Sequence, residues 1–169
     1  HSEFADTDAL RTYVSQQIHD FHALNGRGVI AHFNPKSYER YIWFARIGDG
    51  SLGGKARGLA FLNSLVQKYN LSRKYDDVKI SIPRTIVVAT DYFDQFIVEN
   101  GLQYVIDSEI SDEEILSEFV SSRLPEGLVE QLKSYIDTVR TPLAVRSSSK
   151  LEDSSYQPFA GVYSTYMIP

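Results

Sequence analysis

The sequence has 169 residues, 43% of them hydrophobic, and a formal net charge of −5, so it can build the core of one domain, and broad nucleic-acid binding is not expected as its main function. The absence of cysteine excludes disulfides, thiolate metal sites and a cysteine nucleophile in this chain. No apolar run approaches the length of a membrane span, so we predict a cytoplasmic protein without a membrane or nucleic-acid partner.

The first half of the chain predicts two helices separated by short strands and a loop. Apolar residues recur at spacings of three and four over 6–24, and residues 29–33 are typical of a short strand. The aromatic stretch 38–44 fits a core strand better than a surface that stacks on a base, and glycines make 48–54 a loop. The second helix is predicted over 54–69, with a buried stripe of Leu59, Leu62, Leu65, Val66 and Tyr69.

The second half predicts alternating strands and helices. A strand over 86–89 precedes a helix that Thr90 or Asp91 caps, and Ser111 with Glu114 matches the capping-box pattern of the next helix. Pro125 begins the last helix. Its predicted inward residues are Leu128, Leu132, Tyr135, Ile136 and Val139. A short strand within 141–149 that runs into a serine-rich loop, and a strand over 159–168, complete an α+β fold with several helices around a small mixed or antiparallel sheet.

Gly53, Gly54 and Lys55 stand where the second helix begins. Glycines allow a ligand to approach the backbone and expose N–H groups, and a lysine adds positive charge where a helix N-terminus already favours anions. The spacing differs from that of a P-loop. The stretch is therefore either a phosphate-binding turn or a glycine hinge followed by a solvated lysine.

Arg146 follows three apolar residues, so we expect it at the end of a buried strand. A buried guanidinium needs a partner, and its planar fork suits a phosphate or a carboxylate. Ser147 and the two serines after it supply hydroxyl and N–H groups. The alternative is a structural ion pair between Arg146 and Glu152 or Asp153.

The stretch "PFAGVYST" at 158–165 places Gly161 before a strand and a hydroxyl at Thr165. Taken alone, it indicates a turn and a strand. No pattern predicts a metal site in the chain, because His19 and His22 lie three residues apart on a helix without an accompanying cluster of carboxylates.

Together these stretches resemble the N-terminal nucleotide-binding part of the phosphoenolpyruvate synthase and pyruvate phosphate dikinase family, which includes the glucan water dikinases and rifampin phosphotransferase. "LGGKARGLAFL", "SIPRTIVVATDYFDQFI" and "AVRSSSKLEDSSYQPFAGVYST" carry the resemblance, which covers about residues 47–169. The block from Arg146 to Gly161 is its most specific part. The chain departs from the family at Pro83-Arg84-Thr85, where Pro-x-Gly is usual, and in the serine- and tyrosine-rich loop 152–159.

The resemblance implies the front lobe of an ATP-grasp domain, which binds ATP between two lobes. Lys55 and Arg146 match the positions that contact the nucleotide phosphates, and they are the catalytic candidates. The implied ATP-binding set is Gly53, Gly54, Lys55, Arg146, Ser147, Gly161 and Thr165. The ligands for Mg²⁺ and the domain whose histidine carries the phosphoryl group are expected outside these residues.

The expected organisation is an N-terminal helical extension over 1–46 and a partial nucleotide-binding domain over 47–169. The extension does not resemble any family known to us. Because the sequence begins with His1 and ends in a strand-like run, we expect a fragment of a longer protein, inactive or weakly binding by itself.

The predicted function of the whole protein is phosphoenolpyruvate synthase, which converts ATP and pyruvate to phosphoenolpyruvate and AMP through a phosphohistidine. A related dikinase acting on a glucan or an antibiotic is an alternative. A non-catalytic ATP-sensing or interaction module is another. The residues do not decide whether water or phosphate is the co-substrate.

Overall fold

The computed structural model of the chain describes residues 6–25, 30–35, 42–71, 74–75, 77–106, 108–149 and 163–169. In these ranges the α-helices are α1 Thr7–Asn25, α2 Gly53–Lys68, α3 Thr90–Glu99, α4 Asp112–Ser121 and α5 Glu126–Thr138, with a 3-10 helix at Leu102–Ile106. The strands are β1 Ala31–His32, β2 Phe44–Ile47, β3 Thr85–Val88, β4 Leu143–Arg146 and β5 Thr165–Ile168. The predicted α+β class is confirmed.

The strands form two separate sheets. β1, β2 and β3 lie in that order in a parallel sheet, with Ala45 of β2 opposite both Ala31 and Ile86. β4 and β5 form an antiparallel pair. Small sheets with several helices are consistent with a partial ATP-grasp-like lobe. The domain boundary predicted between residues 46 and 47 falls within β2, and that boundary stays a prediction.

Helices cover both faces of the parallel sheet. Side chains alternate between the faces of a strand, so Ala45 and Ile47 point one way and Phe44 the other. Ala45 and Ile47 pack with Leu128 and Tyr135 of α5. The opposite cluster joins strand and loop residues to the start of α2, and consists of Phe44, Leu52, Ala56, Val87 and Ala89. The parallel sheet is therefore the middle layer of three, as buried parallel sheets require.

The predicted buried stripe of α2 is only partly correct. Val66 is buried and Leu59 packs against the core, whereas Leu62 and Tyr69 are exposed. The first turn of α2 carries much of the contact instead, because Ala56 lies against β2 and β3 at the end of the sheet. Ile136 of α5, also predicted to face inward, is exposed.

Two further predictions need correction. Thr90 and Asp91 are the first residues of α3 and not its cap, which is Ala89. The strand that ends at Arg146 is not buried, since Ala144, Val145 and Arg146 are all exposed. Within β4 only Leu143 is half-buried, and it packs against the core cluster that contains Leu128 and Tyr135.

Candidate functional site

A glycine-containing loop joins β2 to α2 at the carboxyl edge of the parallel sheet. Residues 48–52 leave the end of β2, and α2 begins at Gly53 before the chain returns as β3. Ligands of open parallel sheets bind at the carboxyl ends of the strands, where such loops meet helix N-termini. The fold thus places the Gly53-Gly54-Lys55 stretch where an anion is most readily held.

Ser148 contacts the start of α2, although it lies at least 92 residues further along the chain. Its hydroxyl accepts a hydrogen bond from the Ala56 N–H at 3.0 Å and donates one to the Leu52 carbonyl at 2.9 Å. Its carbonyl accepts the N–H of Gly54 at 3.2 Å. Leu52 is the N-cap and its side chain makes no capping hydrogen bond, so Ser148 supplies the cap of α2 from another part of the fold.

Gly53 is required by this contact. Its φ of +74° is in the left-handed region, and a Cβ at this position would overlap the carbonyl oxygen of Ser148. The residue is buried beneath residues 147–149, the three consecutive serines that we call the serine loop. A glycine at position 53 therefore serves the approach of Ser148 to the helix.

The backbone N–H groups of this turn are already engaged. The sequence predicts that the glycines expose them to a ligand, but the Gly54 N–H donates to Ser148, and the Gly53 N–H lies 3.5 Å from the hydroxyl of Ser51. No acidic residue occupies the first turn of α2, and half-buried Lys55 adds its charge to the positive end of the helix. Attraction of an anion here would come from side-chain charge and the helix dipole.

Arg146 and Thr165 are direct partners across the β4–β5 pair. Residues opposite one another in an antiparallel pair project from the same face of the sheet, so the two side chains share a surface. Ser147, half-buried, links Arg146 to the serine that contacts α2. Gly161, like Glu152 and Asp153 of the alternative ion pair, lies outside the described residues.

Asp91 holds the other side of the same loop. Its Oδ2 accepts the Asp49 N–H at 2.7 Å, and the neighbouring Thr90 hydroxyl accepts the Ser51 N–H at 3.0 Å. Burial raises the pKa of the Asp91 carboxyl group, but hydrogen bonds from surrounding backbone N–H groups lower it by more, so the pKa lies below its ordinary value of 3.8. The loop is thus fixed between α3 on one side and Ser148 on the other.

The chain matches the family of the pyruvate phosphate dikinase AMP/ATP-binding domain over residues 49–168. The chain belongs to this family. The comparisons with curated proteins and with solved structures found no match. The match confirms the resemblance inferred from the sequence, and it identifies the chain as an AMP/ATP-binding domain of a phosphotransferase family.

The matched region of this AMP/ATP-binding domain begins two residues after β2 ends. It contains Lys55, Arg146 and Thr165, but β1 and β2, on which the glycine loop is built, precede it. At that edge Arg46 lies 2.7 Å and 3.2 Å through two of its nitrogens from His32 Nε2, and 3.3 Å from Asp49 Oδ1. His32 Nε2 accepts the hydrogen bond from the Arg46 Nε–H, and the Arg46 guanidinium therefore bridges His32 and Asp49.

The described residues of the AMP/ATP-binding domain contain no group of three or more His, Asp or Glu side chains placed to hold a metal ion. The side chains of His19 and His22 lie outside the described part. Within the same ranges, no helix is both long and apolar enough to cross a membrane.

Sequence reasoning missed the two residues that shape the loop. Ser148 is one of three consecutive serines, and nothing in the run distinguishes the serine that contacts α2. The sequence pattern predicts Asp91 as a helix cap, whereas its carboxylate accepts a hydrogen bond from the backbone N–H of Asp49. Its position three residues after the end of a parallel strand, where the loops of such a sheet meet, is the signal that could have suggested this contact.

Proposed function

We propose that this chain is the ATP-binding portion of a dikinase-type phosphotransferase, and specifically of a phosphoenolpyruvate synthase. In the whole protein, ATP would phosphorylate a histidine of another domain, and that histidine would pass its phosphoryl group to pyruvate. With water as the second acceptor, ATP, pyruvate and water become phosphoenolpyruvate, AMP and phosphate. This assignment implies a cytoplasmic enzyme with its pyruvate site outside the chain.

One observation supports the proposal above all others: the Ser148 contact joins the segment of Arg146 to the turn of Lys55. The residues on either side of Lys55, Gly54 and Ala56, donate N–H hydrogen bonds to Ser148. Arg146 lies two residues before Ser148. Two segments separated by about half of the chain thus meet at the end of the parallel sheet. The family resemblance implies that both positions contact nucleotide phosphates.

The proposed role of these residues is to stabilise the negative charge of the nucleotide phosphates. Phosphoryl transfer depends on alignment and on neutralising the charge of the phosphates more than on covalent help from the protein. Lys55 would offer a point charge and Arg146 a planar fork that binds two oxygens. Mg²⁺, when bound, would neutralise further phosphate charge, and the family resemblance implies that its ligands lie outside these residues.

The proposal predicts loss of function when either cation is removed from the whole protein. Lys55→Ala and Arg146→Ala should each reduce ATP affinity at least about tenfold, because each removes a charge-assisted phosphate contact, and pyruvate-dependent AMP formation should fall below detection. Calorimetric titration with MgATP and a coupled assay of AMP measure the two effects.

The matched controls remove the same charges elsewhere. Lys68→Ala acts at the opposite end of α2, where the amine lies over the ring of Tyr69, and Arg140→Ala removes an exposed arginine after α5. Both should leave ATP affinity unchanged. Normal ATP affinity and turnover in Lys55→Ala and Arg146→Ala would exclude these residues from the site.

A second candidate is a non-catalytic ATP-sensing or interaction module. The observation that favours it is the exposed apolar surface of α1, formed by Leu10, Tyr13, Val14 and Ile18. Such a module would bind MgATP in the titration but would form no AMP with pyruvate, a glucan or an antibiotic as acceptor. AMP formation with a glucan or an antibiotic in place of pyruvate would instead indicate a related dikinase.

A further inference from the structure

We propose that Ser148 is a positioning residue for the nucleotide site: it sets the placement of Arg146 relative to Lys55 without contacting the nucleotide. The inference rests on the proposed function, since it supposes that both cations bind phosphate. Its basis is the set of hydrogen bonds between Ser148 and the first turn of α2.

The geometry of the contact fixes orientation as well as distance. The Ala56 N–H and the Leu52 carbonyl are the two groups that the first turn of a regular helix joins to each other, and the Ser148 hydroxyl bonds to both. The bond from Gly54 to the Ser148 carbonyl adds a third point from the backbone. Three bonds to neighbouring groups leave little freedom for the serine loop to shift or rotate on the helix.

The contact lies partly shielded from water. Both hydroxyl bonds are part-buried, and Gly53 packs directly beneath the Ser148 carbonyl. Hydrogen bonds gain strength where water has less access, and an unsatisfied group there is costly. Breaking the contact would therefore move the serine loop and the end of β4 away from α2.

Lys55 and Arg146 lie within two residues of the bonded groups along the chain. Lys55 lies between two residues whose N–H groups donate to Ser148, and Arg146 is joined to Ser148 through Ser147 alone. A shift of the serine loop changes the separation of the two cations, and their joint attraction for a polyphosphate changes with it. AMP, with a single phosphate, depends less on that separation than ATP does.

The deciding experiment measures the affinities of the whole protein for MgATP and for AMP. Ser148→Ala removes both hydroxyl bonds, and we expect MgATP affinity to fall about tenfold while AMP affinity falls less than about threefold. Ser148→Thr keeps the hydroxyl and should restore MgATP affinity. Gly53→Ala displaces the Ser148 carbonyl and should shift the ATP-to-AMP ratio in the same direction.

Two controls act on the same helix. Ser64→Ala removes a hydroxyl that bonds to the Phe61 carbonyl of α2 itself, and Gly58→Ala adds a methyl group with open space around it. Both should keep the wild-type ratio of ATP to AMP affinity. Should Ser148→Ala melt below the assay temperature, Ser148→Cys, which keeps an atom at the position of the hydroxyl oxygen and weakens both bonds, is measured in its place.

The outcomes separate this inference from the function on which it rests. Unchanged MgATP affinity in Ser148→Ala, together with weakened affinity in Lys55→Ala and Arg146→Ala, overturns the positioning role alone. Equal losses for MgATP and AMP also overturn it, since they indicate general damage to the domain. Normal MgATP affinity in Lys55→Ala and Arg146→Ala overturns the proposed function, and the positioning role with it.

Discussion

At the scale of single residues, Asp91 illustrates how one carboxylate orders a loop. Its Oδ2 accepts the Asp49 N–H, and its buried Oδ1 lies beneath Gly48 with no hydrogen bond from the described residues. Any Cβ at position 48 would come within 2.5 Å of that oxygen, and φ there is +90°. The glycines of this loop thus serve to bring the backbone onto the carboxylate.

The lowered pKa of Asp91 makes stability depend on pH. Because the ionised form is favoured in the folded state, its contribution is present above the unfolded pKa of about 3.8 and is lost as pH falls through the lower folded value. Asp91→Asn should therefore cost about 0.5 to 1 kcal/mol of unfolding free energy at pH 7 and progressively less below pH 4. Urea denaturation across this pH range measures the difference.

The control for Asp91 is Asp94→Asn on the same helix, which removes an exposed charge that is not bonded to the loop. Its effect on stability should stay small at every pH. A cost for Asp91→Asn that is the same at pH 3 and pH 7 would contradict the role given to the carboxylate.

Among single residues, local roles are predictable and distant ones are not. Ser111 and Glu114 form the capping box that their spacing predicts, because both partners lie within one turn. Ser148 caps a helix that begins 95 residues earlier in the sequence, and no local pattern carries that information. The nucleotide-binding positions follow from the family resemblance and not from any local pattern, so their role stays a prediction.

At the scale of elements, α5 makes the most consequential contact with the parallel sheet. Leu128 is 6% exposed and packs with Phe33, Ala45 and Ile47, while the Tyr135 ring meets Phe33 edge-on with centroids 5.7 Å apart. Tyr92 of α3 accepts a hydrogen bond from Gln131 of α5, so the same helix also braces α3. Removing its anchor should weaken the face of the sheet that lies opposite α2.

Leu128→Ala should lower the free energy of unfolding by about 2 to 5 kcal/mol, the usual cost of a cavity in a packed core. Leu116→Ala makes the same chemical change on α4, where the side chain is 64% exposed, and should cost less than about 1 kcal/mol. Urea denaturation of both variants makes the comparison. Similar costs for the two would contradict the assignment of α5 to the core.

Among elements, the helices could be predicted closely from periodicity, while their buried faces could not. α2 shows the reason: its periodic leucines fit a stripe along the whole helix, but the sheet is short and contacts mainly the first turns. β1 has two residues, so its pairing with β2 depends on the sheet and not on its own pattern. Packing partners distant in sequence decide both cases.

At the scale of the whole molecule, the α+β class was predictable and the division into two sheets was not. The alternation of strand and helix from β2 to β3 is typical of a parallel unit, and β4 with β5 is typical of an antiparallel pair. No sequence pattern predicts that the parallel and antiparallel strands form two separate sheets. The contact between Ser148 and α2 ties the antiparallel pair to the parallel unit.

That contact also bears on the order in which the molecule folds. Hydrogen bonds from Ser148 to Ala56 and Leu52 close loops of 92 and 96 residues, whose entropic cost falls on the late stages of assembly. We therefore expect Ser148→Ala to speed unfolding about fivefold and to leave refolding unchanged in stopped-flow measurements. Slower refolding of Ser148→Ala would contradict this expectation, because it would mean that the contact is already formed in the folding transition state. If the contact forms late, the segments that carry Lys55 and Arg146 come together only after both sheets have formed. Partly folded chains therefore lack the paired cations.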